Sequence, residues 1–382
     1  MIKNFFEDVK NKDKKAIAIL SAVVITLIVA IVVVAMLVSG GKSSKKEKDT
    51  TTTVKETTTQ EETTTEKKDE HKGMVRSQLT GKWVKKSIGT RRPVGVMLNN
   101  IIDAVPQTSI ERAGVVLESP VEGGICRFEA FFEDYDDLEK IGSVRSARTY
   151  FVYYSRQFDA IYCHFGQARY ALDALNSPEI DNLSGLEAVG NLVYYRTTDR
   201  VAPHNAYASA DGIKAGIENK GYRTKLNKGY EGPFLFAEDG EEVELTNGKK
   251  AEKIVPGYYV NKPWFEYDKK KKVYKRFQYD GEHIDDLTGH QLKYKNIIFQ
   301  NCKYGYYENS PYLNIETLGE GTGLYFTNGK YINIKWKKDE EFGQTHYYDM
   351  NGNPIVLNQG KTWICFITEE GRVMIDDKEV NK

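Results

Sequence analysis

No segment limits the possible folds of this chain more than Ala16 to Val38, an uncharged run of 23 residues in which only Ser21 and Thr26 are polar. As a helix it rises roughly 35 Å, enough to cross a hydrocarbon core of about 30 Å. A core helix of a soluble protein carries a polar face, and this run has none. A cleaved signal peptide has a shorter apolar core ending in small residues, whereas Met36-Leu37-Val38-Ser39-Gly40-Gly41 is a poor cleavage site. The run is therefore read as an uncleaved signal anchor, a single transmembrane helix over 16–38 behind a tail at 1–15. Five lysines precede it (Lys3, Lys10, Lys12, Lys14, Lys15) and four follow (Lys42, Lys45, Lys46, Lys48), a bias too small to set its orientation.

Residues 39–75 are read as a stalk. Thr, Lys and Glu dominate it, as in Thr50-Thr51-Thr52-Thr53 and Thr63-Thr64-Thr65, and such a stretch cannot offset its ordering entropy by burial. The 382 residues balance 54 Lys and Arg against 54 Asp and Glu, and residues 73–382 hold 41 basic and 43 acidic residues. Phosphate neutralisation along a polynucleotide requires a basic excess in the binding domain, so no nucleic-acid partner is expected.

The remaining body exceeds the usual size of one core and is read as two domains. In 90–235, short apolar runs (Val94 to Leu98, Val115 to Leu117, Arg127 to Phe132, Ala160 to Cys163) alternate with segments of helical character (Ala147 to Gln157, Ala168 to Leu175, Ala210 to Glu218). Ser209 is placed to cap the last of these, and Gly221 to end it. An α/β or α+β domain is predicted. In 236–382 helix signals fade and turn dipeptides multiply. Gly323 to Trp336 reads as a hairpin around Asn328-Gly329, because Asn-Gly accepts the positive φ of a tight turn. A mainly-β domain is predicted. Cys126 and Cys163 fall in the first domain, Cys302 and Cys365 in the second; each pair could form a disulfide or stay as buried thiols.

Two stretches carry candidate chemistry. Ile141 to Tyr150 enters a helical segment and holds Arg145 and Arg148; three residues apart on a first helical turn, they would clamp phosphate or carboxylate beside the helix N-terminus. Tyr195 to Asn205 holds Arg196 and Arg200 ahead of His204 and Asn205, which can donate to an oxyanion or move a proton. Asp159 and His164 flank the run Ala160 to Cys163, which sets the histidine at a strand end, a common place for ligand contacts. His283, Asp285, Asp286 and His290 match no metal-ligand spacing and are read as a turn, and Gly319 to Gly323 precedes a hairpin where a phosphate loop would precede a helix. No cofactor is identified.

On Arg92 to Asn100, Glu122 to Phe128, Ile141 to Arg148, Ala202-Pro203-His204-Asn205, Gly329 to Trp336, Gly352 to Ile355 and Gly360 to Ile364, the chain resembles the YerB-like lipoprotein family. That is a two-domain bacterial family of unknown function. The resemblance spans about residues 90 to 370 and implies a membrane-tethered body outside the cytoplasm, hence a cytoplasmic N-terminus. The acylated Cys of a lipoprotein has no counterpart, since Gly40 and Gly41 stand at the end of the apolar run and the first Cys is Cys126. The transmembrane helix would replace the lipid. A fainter similarity links the span, the α/β body and the Arg-bearing turn to the LytR-CpsA-Psr family of envelope glycan transferases, whose Pro-Arg-Asp turn is replaced by Val144 to Arg148.

Three functions are consistent with this reading. The first is a binding module that holds an anionic or phosphorylated envelope ligand through Arg145, Arg148, Arg196, Arg200 and Asn205. The second is an enzyme transferring phosphoryl or glycan-phosphate groups from a polyprenyl-pyrophosphate, with His164 or His204 as acid or base and a divalent cation on acids such as Asp159. The third is a scaffold whose β domain docks another envelope protein.

Overall fold

The computed structural model describes residues 71–380. The predicted tail, the transmembrane helix over 16–38 and most of the stalk lie outside the described residues. Among those described, no helix is long and apolar enough to cross a membrane. The stalk range runs too far, because strand β1 (Met74–Arg76) already pairs with β2 (Trp83–Lys85).

The framework is one eleven-stranded sheet that serves both halves of the chain. Strands β3 (Val94–Leu98), β4 (Val115–Pro120) and β5 (Cys126–Phe132) form its centre, with β5 antiparallel to both neighbours. Their near-continuous apolar sequence suits strands covered on both faces. β6 (Ile141–Gly142) leaves this sheet, and the chain then forms helix α1 (Thr149–Arg156) before returning as β7 (Ile161–His164), parallel to β3. β8 (Asn182–Ser184) adds in parallel at the edge. β9 (Tyr194–Arg196) and β10 (Ala206–Ala208) join β6 in a small separate sheet, and helix α2 (Ala210–Lys220) follows. Ser209 caps α2 by accepting from the Gly212 amide, and Gly221 ends it in the left-handed region, as predicted.

The second half extends the same sheet. β11 (Asn296–Asn301) lies parallel to β14 (Thr362–Ile367), and β14 lies parallel to β4, so the two halves meet at a strand pair. β12 (Gly319–Thr327) and β13 (Lys330–Lys338) are the predicted hairpin, with φ of 51° at Asn328 and 73° at Gly329. A seven-stranded sheet built around Trp264–Asp268 and Val273–Gln278 covers one face of the large sheet. Phe128, Phe265, Tyr274 and Trp363 pack there, while Phe131, Phe151, Tyr154 and Phe158 fill the core under α1 on the opposite face.

The architecture is two-domain and mainly β, with less helix than the sequence pattern suggested. Ala147 does not start a helix, because it bridges Gln167, and Ala168 to Leu175 forms a 3-10 turn (Arg169–Ala171) and one α turn (Leu172–Leu175). The division placed at residue 235 falls inside a strand, Leu235–Phe236, that pairs with Val356–Leu357. All four cysteines are buried free thiols.

Candidate functional site

The two arginine-bearing stretches meet because β10 lies between them. Tyr207 is opposite Gly142 on one side and Tyr195 on the other, and the Val144 amide donates to the Ala206 carbonyl at 2.7 Å. Backbone bonds from the Arg145 amide to the Met97 carbonyl (2.9 Å) and from the Phe165 amide to the Arg145 carbonyl (3.0 Å) then fix Arg145 between the carboxyl ends of β3 and β7. Ligand sites of sheets with parallel strands form at such ends.

Arg145 makes no ion pair among the described residues, and its Nε is buried without a hydrogen-bond partner. Burial, then the charges of Arg148 and Arg196, hold its pKa below the usual guanidinium range. Arg127, on the inward run of β5, shares this environment. Its Nη1 donates to the Ser146 carbonyl at 2.8 Å, its Nε has no partner, and burial with Arg148 and Arg145 pushes it down to about 9. Arg196 donates to Asn205 Oδ1 at 2.7 Å and lies 4.8 Å from the centre of the Phe165 ring. The Asn205 amide nitrogen donates in turn to the Thr197 carbonyl.

Arg148 behaves differently from the expected clamp. It precedes α1 in extended conformation, so it shares no helical turn with Arg145, and it grips both carboxylate oxygens of Glu122. Burial alone would raise the Glu122 pKa, but Arg148 holds it below the ordinary value. Arg200 is spent on backbone, donating to the Ala104 and Pro106 carbonyls at 2.9 and 2.8 Å. It frames the pocket without offering it a free guanidinium face. His204 Nδ1 accepts from Asn99 Nδ2 at 2.8 Å, which places the ring proton on Nε2. Burial, then Arg145, depresses its pKa. Asn99 itself is held by Gln107, which donates to its carbonyl at 2.8 Å.

Two expected residues lie outside this pocket. Asp159 precedes β7 at the opposite end of the strand, where it is 2% exposed and bound at both oxygens by Arg223 (2.7 and 2.8 Å), with Arg92 Nε at 3.6 Å. A carboxylate so neutralised anchors Arg223 and Arg92, away from the arginine cluster. His164 is 1% exposed, with Nδ1 at 2.8 Å from the Gly166 carbonyl and Nε2 at 3.2 Å from Asn182 Oδ1. Burial holds its pKa down, and its ring supports the turn after β7 without a free nitrogen for acid-base work. The His283 turn is structural as expected: His283 is fully buried against Gln107, and Asp285 accepts the amides of Glu111 and Leu287. Among the described residues no group of three His, Cys, Asp or Glu side chains is arranged to hold a metal.

A cavity of about 880 Å³ lies elsewhere, between α2 and the segment Lys86 to Arg92. Its basic rim residues Arg91 and Lys214 are both paired with Asp136. The arginine cluster is marked by its charge: four guanidinium groups (Arg127, Arg145, Arg148, Arg196) have Glu122 as their one carboxylate partner among the described ion pairs. Arg127 and Phe165 were missed from the sequence. An arginine inside a mostly apolar strand that also holds Glu129 was the available signal for the first; nothing local marked the second.

The sequence matches the family models described as protein of unknown function (DUF3048), N-terminal domain over residues 79–223 and C-terminal domain over 254–364. It is 31% identical over 293 residues to the protein described as "Putative lipoprotein YerB" of Bacillus subtilis (strain 168), covering 77% of this chain and 83% of that one. The fold is similar to the crystal structure of the YerB protein from Bacillus subtilis, with a TM-score of 0.68 and 30% identity over 78% of this chain and 99% of that chain.

Proposed function

We propose, since the chain belongs to the YerB family of two-domain bacterial proteins of unknown function, that it is an extracytoplasmic, membrane-tethered module that binds a phosphorylated or carboxylate ligand. The relative's description as a lipoprotein supports the location, and Ala16 to Val38 supplies a tether where the acylated Cys is missing. Arg145 carries the reading. A guanidinium held among other cations, with a buried Nε and no acid, is costly unless an anion completes it. Arg127 and Arg196 supply further donors, and the planar guanidinium suits two-point contact with oxyanions.

One observation favours a transferase as second reading. His204, with Nδ1 occupied by Asn99, can donate a hydrogen bond from Nε2 to a developing oxyanion near the Arg145 charge. The test uses full-length protein in nanodiscs and calorimetric titration with pyrophosphate. Binding weakened about tenfold or more by Arg145→Lys, the size of one lost charge-assisted hydrogen bond, is expected. Unchanged affinity would overturn the module. Release of undecaprenyl phosphate from undecaprenyl-pyrophosphate-linked glycan with Mg²⁺, abolished by His204→Ala, would establish the transferase instead.

A further inference from the structure

Next to Glu122 the chain builds a second concavity, at the junction of the two domains, that shares Glu122 with the arginine cluster and none of its arginines. Its floor is the turn Glu122–Gly124, where Gly123 and Gly124 take φ of 74° and 71°. A Cβ at Gly123 would meet nothing within 4 Å and one at Gly124 only Val260 at 3.8 Å, so bare backbone faces the opening. Tyr259, Tyr304 and Tyr306 form the walls, with Glu370 at the rim. Tyr259 and Tyr306 are 60% and 61% exposed, unusual for rings of this size, and Tyr304 meets Tyr306 at 73° with centroids 6.1 Å apart. The Tyr259 hydroxyl donates to the Glu370 carbonyl at 2.8 Å and the Tyr304 hydroxyl to the Glu370 carboxylate. These two rings are thereby locked from their polar ends.

The lining contains the Glu370 carboxylate, the Glu122 carboxylate already held at both oxygens by Arg148, and no Lys or Arg of its own. That combination selects among occupants. A phosphorylated chain or a nucleic acid stacking on the rings would need cations along its backbone. An acyl chain would leave the Glu370 carboxylate and the polar backbone of the glycine turn unmatched. A neutral pyranose satisfies both halves: its C–H face covers an aromatic ring, and a hydroxyl donates to the Glu370 carboxylate. The enclosed part of the concavity is only about 70 Å³, so a ligand lies across it, with successive rings on Tyr259 and Tyr306.

We infer that this tyrosine-walled groove is a binding site for a neutral oligosaccharide. The inference stands apart from the arginine pocket, and the two can fail separately. Full-length protein in nanodiscs is titrated with maltotetraose, cellotetraose and N-acetylchitotetraose. Saturable binding of at least one is expected, weakened about tenfold by Tyr306→Ala and by Tyr259→Ala, the scale of a lost ring contact. Arg145→Lys should leave that affinity unchanged. Both tyrosines are exposed, so unaltered thermal unfolding of the variants will separate lost binding from lost fold. Absence of binding to all three sugars overturns the inference. So does affinity indifferent to both tyrosine variants, and so does affinity that falls with Arg145→Lys, which would place the sugar in the other pocket.

Discussion

Arg276 Nη2 donates to Glu118 Oε2 at 2.7 Å in an ion pair whose two side chains are wholly hidden from solvent. Glu118 belongs to β4 of the first domain and Arg276 to Val273–Gln278 of the second. Asn261 and Trp363 donate to the same carboxylate at 2.8 and 3.0 Å, and the guanidinium lies 4.3 Å from the Trp363 ring centre. The pair therefore fastens the domains where β14 joins β4. Removing one partner leaves a buried, uncompensated charge, so Arg276→Met should cost about 3–5 kcal/mol. The double variant Arg276→Met, Glu118→Leu should cost clearly less than the two single changes together. Urea unfolding of the four proteins measures the difference.

Glu129 gives a pH dependence of known sign. It stands in β5, fully buried, with both carboxyl oxygens unpartnered beside the Ser155 hydroxyl, and burial pushes its pKa well above the carboxylate range. A pKa raised on folding means that its contribution to stability is complete below the unfolded value and is lost as pH rises through the folded one. Glu129→Gln cannot ionise. Its stability relative to the parent should rise as pH increases above the ordinary carboxylate range, read from unfolding midpoints across the pH series. A constant difference would show that Glu129 does not titrate there.

Asp159 separates structure from chemistry. Asp159→Asn loosens Arg223 and Arg92 together, and Arg92 is only 3% exposed. A stability loss of about 3 kcal/mol is expected, with pyrophosphate affinity unchanged. Loss of binding in a variant that still folds would return Asp159 to the site.

The predicted secondary structure that survived rests on local physics. Ser209 and Gly221 end α2 because a cap needs only its own turn, and Asn328-Gly329 closes its hairpin because the φ requirement is local. A Cβ on Gly329 would come within 2.6 Å of the Tyr267 ring, a restriction invisible in the dipeptide. Strands β3, β4, β5 and β7 were legible as apolar runs. Their membership in one sheet with β11 and β14 was not, because parallel pairing between segments 247 residues apart, as between Thr362 and Val115, leaves no sequence period.

The same division runs through the candidate site. Arg145, Arg196 and His204 could be chosen as anion-binding residues by their chemistry, yet Arg148 and Arg200 looked identical to them in sequence. Glu122 claims Arg148, and the Ala104 and Pro106 carbonyls claim Arg200.

By itself the sequence determined the apolar run, the break between a Thr-rich segment and the body, the caps, the tight turn and the family, since each depends on residue type or short spacing. Tertiary structure alone decided which charges are neutralised and which stay unpaired. Compensation of a guanidinium depends on oxygens brought within about 3 Å by folding, and for Arg148 that oxygen comes from a residue 26 positions away.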